Sequence, residues 1–173
     1  MFTNNWKKIV ASFMTGSGTL PGAKAVSYNG ASGNVYCNLS KVAGYTGFYY
    51  PMNAVRTSLN NATCGVCFGD GTASPTEDDY NLSGNIITTI TATATQSRTS
   101  VEDGGIMSAV YTITNTGSES ITISEIGMFS YWYTSSTAYS TFLCERSLLD
   151  TPVTIEPGGV GQVTYTIRMN YPT

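Results

Sequence analysis

The sequence predicts an all-β chain: an antiparallel β-sandwich, jelly-roll or immunoglobulin-like, with a short N-terminal helix. Three observations carry that expectation. Only 11% of the 173 residues are charged, against about 25% in an ordinary globular chain. Thr, Ser, Tyr, Gly and Asn fill the difference, and these favour strands and turns over long helices. From about residue 21 onward apolar side chains recur at every second position, the period of a strand with one buried face.

The first segment is the one good helix candidate. Thr3 or Asn4 can cap it, and Trp6, Ile9, Val10 and Phe13 fall at i, i+3, i+4 and i+7 before Gly16 and Gly18 break the pattern. A helix of about ten residues is too short to stand alone. It must dock on its own domain or on a neighbouring subunit, which makes Trp6, Ile9 and Phe13 candidate interface residues. The expected division is an N-terminal helical arm over 1–20 and a β-sandwich domain over 21–173.

Strand-like runs follow at 23–28, 33–38, 48–56 and 62–68, then a loop at 69–80. Over 86–95, Ile86, Ile90, Ala92 and Ala94 share one face while Thr89, Thr91, Thr93 and Thr95 share the other. Met107, Ala109, Tyr111 and Ile113 repeat the pattern, and a turn at 115–118 leads to Ile121 and Ile123. Parity then breaks before Ile126 and Met128, which predicts a bulge near Ser124 and Glu125. Shorter runs at 142–149 and 153–156 precede the turn Pro157-Gly158-Gly159. The last strand alternates Val163, Tyr165, Ile167 and Met169 with Gln162, Thr164, Thr166 and Arg168. Rows of Thr stabilise a solvated sheet face without adding charge.

The net charge is −3, and no basic run is longer than Lys7-Lys8, which argues against a nucleic-acid partner. No apolar run approaches the roughly 18 residues of a membrane span, and the start lacks the features of a signal peptide. The expectation is a soluble chain made in the cytoplasm. There is no histidine, which removes the commonest general base, the Ser-His-Asp and Cys-His arrangements and most catalytic zinc sites. A glycosidase needs only two carboxylates and eleven acidic residues are present, but they lie mainly in loops, and a sugar-cleaving cleft also needs groups that order the substrate. No enzyme activity, catalytic residue or cofactor is expected.

Four cysteines are present: Cys37, Cys64, Cys67 and Cys144. Cys64 and Cys67 have CxxC spacing without a second such pair, and on a strand they face opposite sides, so buried thiols are expected. Asp70, Asp78 and Asp79 are hard oxygen donors and weak calcium candidates, without the alternation of an EF-hand loop. The simpler reading makes Asp70-Gly71 a turn dipeptide, with Pro75 stiffening the loop and Thr76 or Glu77 opening a short turn that ends at Tyr80. Tyr131, Trp132 and Tyr133 are consecutive, and three neighbours on a strand cannot all face inward. They are expected at an interface or stacked on sugar rings. Tyr49, between Phe48 and Tyr50, is an interface candidate for the same reason.

Two stretches carry a resemblance. Gly69, Gly71, Thr72, Pro75, Asp79 and Leu82 stand in the spacing GxGTxxPxxxDxxL. Downstream come Asn115-Thr116-Gly117, then Glu125-Ile126-Gly127-Met128-Phe129, Leu143 to Arg146, Pro152-Val153-Thr154-Ile155 with Pro157-Gly158, and Tyr165-Thr166-Ile167. This order resembles small structural proteins of tailed-bacteriophage virions, over roughly residues 45 to 170. The resemblance implies a β-sandwich component of a tail, fibre, neck or capsid decoration that assembles with itself and with other virion proteins, and it carries no catalytic residue. The alternative that the aromatic stretch leaves open is a module binding carbohydrate or a host receptor.

Overall fold

The computed structural model describes residues 1–4, 7, 19–24, 32–36, 52, 54–59, 64–101, 104–133 and 139–170. Eight strands are found among them: β1 (Thr19–Lys24), β2 (Ser32–Tyr36), β3 (Gly65–Gly69), β4 (Ile90–Val101), β5 (Gly104–Asn115), β6 (Ile121–Tyr133), β7 (Tyr139–Ile155) and β8 (Val160–Asn170). β1 and β2 form a hairpin. The others form two antiparallel three-stranded sheets, in the orders β3-β6-β7 and β4-β5-β8.

The Thr-rich alternation builds the second sheet. β4 pairs with β5 from Ile90 opposite Asn115 to Val101 opposite Gly104 without a shift, and β5 pairs with β8 in the same unbroken way. Ala109, Tyr111, Ile113, Val163, Tyr165 and Ile167 turn inward and are buried, while Thr91, Thr93 and Thr95 stay exposed. The inward row meets Val66, Phe68, Ile123, Ile126, Met128 and Cys144 of the first sheet in one apolar cluster. Phe68 and Tyr111 cross it edge to face at 5.4 Å, the favourable geometry for two rings.

The first sheet is buried on both sides. Its second face carries Cys67, Phe129 and Leu143, covered by Leu82 from the long loop after β3. This explains why all five residues of β3 are buried, against the simple alternation expected over 62–68. Both edges of this sheet are also occupied. Residues 1–3 lie antiparallel along β7, where Thr3 N–H donates to the Cys144 carbonyl at 3.0 Å and Arg146 N–H to the Met1 carbonyl at 3.1 Å. Ala54 and Arg56 exchange backbone bonds with Val66 at 2.7 and 2.8 Å along β3.

The bulge expected near Ser124 is present, as a register shift between Ile123 and Glu125. A second shift, between Met128 and Phe129, leaves Cys144 as the extra residue of β7 and has no counterpart in the sequence reading. The runs 142–149 and 153–156 merge into one 17-residue strand. The strand expected from residue 86 begins instead at Ile90. Ile86 is held by a bridge to Gly69, and Ile87, whose N–H donates to the Phe68 carbonyl at 2.9 Å, enters the core. Of the expected helix, Trp6, Ile9, Val10 and Phe13 lie outside the described residues, as does most of the run 48–56.

Asn115 closes the structure between the sheets. Its side-chain amide donates to the carbonyls of Glu119 at 2.7 Å and Ile155 at 3.0 Å, and its oxygen accepts Gly117 N–H at 2.9 Å. Gly158, in the neighbouring turn, has φ +71° with open space around it, so its conformation, not its size, calls for glycine. Replacing Asn115 by Ala leaves a buried carbonyl without its donor and is expected to destabilise the fold by about 1–3 kcal/mol. Urea denaturation checks this, and an unchanged midpoint would show that the turn is not held by this side chain.

Candidate functional site

Charge is scarce in this chain, yet three charged side chains lie at or near zero exposure in the middle of β6 and β7: Glu125, Glu145 and Arg146. The bulge at Cys144 decides where they point. It pairs Glu145 with Met128 and Arg146 with Gly127, so Arg146 turns to the loop-covered face while Glu145 turns to the core shared with the other sheet.

On the loop-covered face, Glu125 accepts five donors. One oxygen takes Gly71 N–H at 3.2 Å and Gly84 N–H at 2.8 Å. The other takes Ser83 N–H and Oγ–H, both at 3.1 Å, and Arg146 Nε–H at 2.6 Å. The rest of the Arg146 fork donates to Asp79 Oδ2 at 2.6 Å and to the Ala73 carbonyl at 2.5 Å. Asp79 also accepts Thr76 N–H at 2.9 Å and its hydroxyl at 2.8 Å, closing the short turn expected there. One buried ion pair thus holds both limbs of the loop from 70 to 85. Burial works against the charge on Glu125, but the Gly84 N–H, Arg146 and the Ser83 N–H outweigh it and hold the carboxyl below its ordinary value. Asp79 is lowered for the same reasons, with Thr76 and Arg146 as its partners. Both carboxylates therefore stay ionised and fully bonded, an arrangement that clamps a loop and has no proton to give near neutrality.

On the core side, Glu145 accepts the Tyr165 hydroxyl and the Met1 ammonium, and Ser147 Oγ–H at 2.6 Å. Burial pushes its carboxyl above the ordinary value, partly offset by the ammonium and Ser147. The start of the chain also reaches the loop. Asn4 N–H donates to the Glu77 carbonyl at 2.8 Å, Asn4 Nδ2 to Asp78 at 3.2 Å, and Lys7 pairs with Glu77.

The three carboxylates considered for calcium are each engaged elsewhere. Asp70 accepts the Asn85 N–H at 2.7 Å, Asp78 accepts Asn4, and Asp79 accepts Arg146 and Thr76. Among the described residues no three Asp, Glu or Cys side chains come together as metal ligands. The turn role given to Asp70-Gly71 also gives way to another. A Cβ at Gly71 would stand 2.2 Å from Glu125 Oε1, so this position is kept small by the carboxylate behind it. Gly127 plays the same part, because a Cβ there would stand 2.6 Å from the Leu82 side chain. Among the described residues Cys64, Cys67 and Cys144 form no disulfide, and burial pushes Cys67 up to about 12 and raises the other two, which disfavours the thiolate.

Of the expected interface residues, Trp6, Ile9, Phe13 and Tyr49 lie outside the described residues. Tyr131, Trp132 and Tyr133 end β6, with their backbone paired to Thr141, Ser140 and Tyr139 of β7. A recess of about 240 Å³ opens between β7 and β8, beside Leu148, Asp150, Gln162 and Thr164. Asp150 is the one carboxylate in its lining, short of the pair that glycoside hydrolysis uses. Comparison with family models, curated proteins and solved structures gives no match.

Glu125, Glu145 and Arg146 were not among the candidates read from the sequence. Their signal was there: charges inside apolar strand runs of a charge-poor chain stay ionised only in company.

Removing one partner of a buried pair leaves the other unpaired, at a cost of about 3–5 kcal/mol. Glu125→Gln and Arg146→Met are each expected to lose that much in urea denaturation. The double variant Glu125→Gln/Arg146→Met is expected to cost clearly less than the sum of the two, and strictly additive losses would refute the coupling. The pH dependence follows from the directions. Glu125 and Asp79, lowered in the fold, contribute stability that is complete above their unfolded values near about 4 and is lost as pH falls through the folded ones. Glu145, raised in the fold, acts oppositely: its contribution is complete below the unfolded value and lost as pH rises through the folded one. The acid loss is expected to be shallower in Glu125→Gln, and an identical slope would assign it to other groups.

Proposed function

We propose that this chain is a non-enzymatic structural component of a tailed-bacteriophage virion, with a jelly-roll or immunoglobulin-like β-sandwich as its fold, assembling with itself and with other virion proteins. The observation that carries the reading is where the resembling residues lie. Gly71, Asp79 and Leu82 from the GxGTxxPxxxDxxL motif, Glu125 and Gly127 from the run 125–129, and Arg146 from the run 143–146 meet in one buried network. Motifs far apart in sequence thus act as a single structural unit, which is a reason for them to occur together. The unit ties a 16-residue loop to a sheet without leaving a reactive group, as suits a part whose work is to hold its shape in many copies. The chain as a whole is poor in charge, as is the centre of a protein–protein interface. The expected N-terminal helix with Trp6, Ile9 and Phe13, the aromatic Tyr49, and the end of β6 are the proposed contacts with neighbouring subunits.

Mass spectrometry and electron cryo-microscopy of purified particles of the encoding virus test this. The chain is expected in ordered, symmetric copies. Its absence from particles, together with glycan-array binding weakened by Trp132→Ala, would replace this reading with that of a carbohydrate- or receptor-binding module.

A further inference from the structure

Sheet edges are where strands recruit new partners, so proteins that remain single shorten, bend, charge or cover them. The β3-β6-β7 sheet is covered at both edges, by residues 1–3 along β7 and by residues 54–56 along β3. β8 runs beside β7. β4 is different. It is 12 residues long, pairs with β5 without a bulge, contains no Pro or Lys, and carries one charge, Arg98. Among the described residues no strand pairs with its outer edge.

The phase of the ladder fixes which groups face outward there. Thr116 N–H donates to the Thr89 carbonyl at 2.9 Å, and the register continues it two by two through Thr91 opposite Thr114, Thr93 opposite Thr112 and Thr95 opposite Val110. The odd residues of β4 therefore bond to β5, and Ala92, Ala94 and Gln96 turn their N–H and C=O groups to the open edge.

We infer that β4 pairs antiparallel with β4 of a second copy, about a two-fold axis near Ala94, joining the two β4-β5-β8 sheets into one. The second copy is the occupant because this edge complements its own image. Two-fold pairing sets Thr93 beside Thr95 and Thr91 beside Ser97 on the outer face, the opposed hydroxyl pairs that stabilise sheet neighbours, and Ala94 beside Ala94 and Ala92 beside Gln96 on the inner. It also carries each Arg98 to opposite ends of the seam, so no like charges meet at the axis. The outward face that would become continuous has Arg168 as its one charge among the described residues. The inference rests on the reading of the chain as a self-assembling subunit and gives that assembly its surface.

Sedimentation of the purified full chain tests it, with Ala94→Pro and Thr93→Pro as variants. Ala94→Pro removes an outward N–H and no bond to β5, so it is expected to weaken the dimer roughly tenfold or more while leaving the melting temperature of the dilute monomer unchanged. Thr93→Pro removes a ladder bond and is expected to lower the melting temperature as well. Should Ala94→Pro fail to fold, Thr93→Lys/Thr95→Lys on exposed side chains takes its place, with a dimer weakened at low salt and recovered at high salt. A monomeric parent chain, or a dimer indifferent to Ala94→Pro and to the lysines, would overturn the proposal. So would a monomeric chain whose Ala94→Pro variant no longer enters particles, since the edge would then belong to a different partner. Failure of the subunit reading is seen separately, as absence of the unmodified chain from particles.

Discussion

The structure depends on the contact between Glu125 and Arg146. Taking a carboxylate and a guanidinium out of water costs several kcal/mol per ion, and their attraction offsets it only when the remaining donors and acceptors are also engaged. Here they are. Glu125 has five donors and all three sides of the Arg146 fork are used, toward Glu125, Asp79 and the Ala73 carbonyl. That requirement shapes the surroundings. Gly71 leaves room for the carboxylate, Ser83 and Gly84 present their amides, and the bulge at Cys144 turns Arg146 to the correct face. The loop from 70 to 85 is ordered from below, by the sheet, more than by its own turns.

This arrangement explains why the first sheet differs from the second. A sheet covered on both faces reads as a continuous apolar run, while one with a wet face alternates. β4, β5 and β8 alternate and were legible residue by residue: Ala109, Tyr111, Ile113, Val163, Tyr165 and Ile167 are buried where the pattern placed them. The parity break before Ile126 was legible as a bulge for the same reason. β3 and the centre of β7 were not, because their second face is closed by Leu82 and the loop, a contact between residues far apart in sequence. Ile86 and Ile87 look alike in the sequence. One bridge to Gly69 decides which of them reaches the core.

The site was less legible than the fold. Acidic residues in the loop drew attention as oxygen ligands, since Asp70, Asp78 and Asp79 stand close together in the sequence. Proximity in the chain did not become convergence in space, because each carboxylate was claimed by a nearer donor: Asn85, Asn4, or Thr76 with Arg146. The charges that organise the structure sit instead among apolar neighbours, where alternation assigns a side but not a partner. Only the register between β6 and β7, with its two shifts, brings Glu125 within reach of Arg146.

The placement of charge separates the inside of the molecule from its outside. Of the chain's 19 Asp, Glu, Lys and Arg side chains, three are buried among the described residues, Glu125, Glu145 and Arg146, and a fourth, Asp79, joins the network of Glu125 and Arg146. Those charges fix one arrangement of loop and strands, since an ion pair tolerates a wrong register worse than an apolar contact does. Outside, the β4-β5-β8 face is left almost without charge and dense in hydroxyls. A monomer gains little from such a face, because charge on an exposed sheet adds solubility and blocks unwanted pairing. A subunit that must meet its own copies gains from it, since neither charge desolvation nor like-charge repulsion opposes contact. A charge-locked interior behind a charge-poor β4-β5-β8 face is the combination that the proposed role of a repeated subunit calls for.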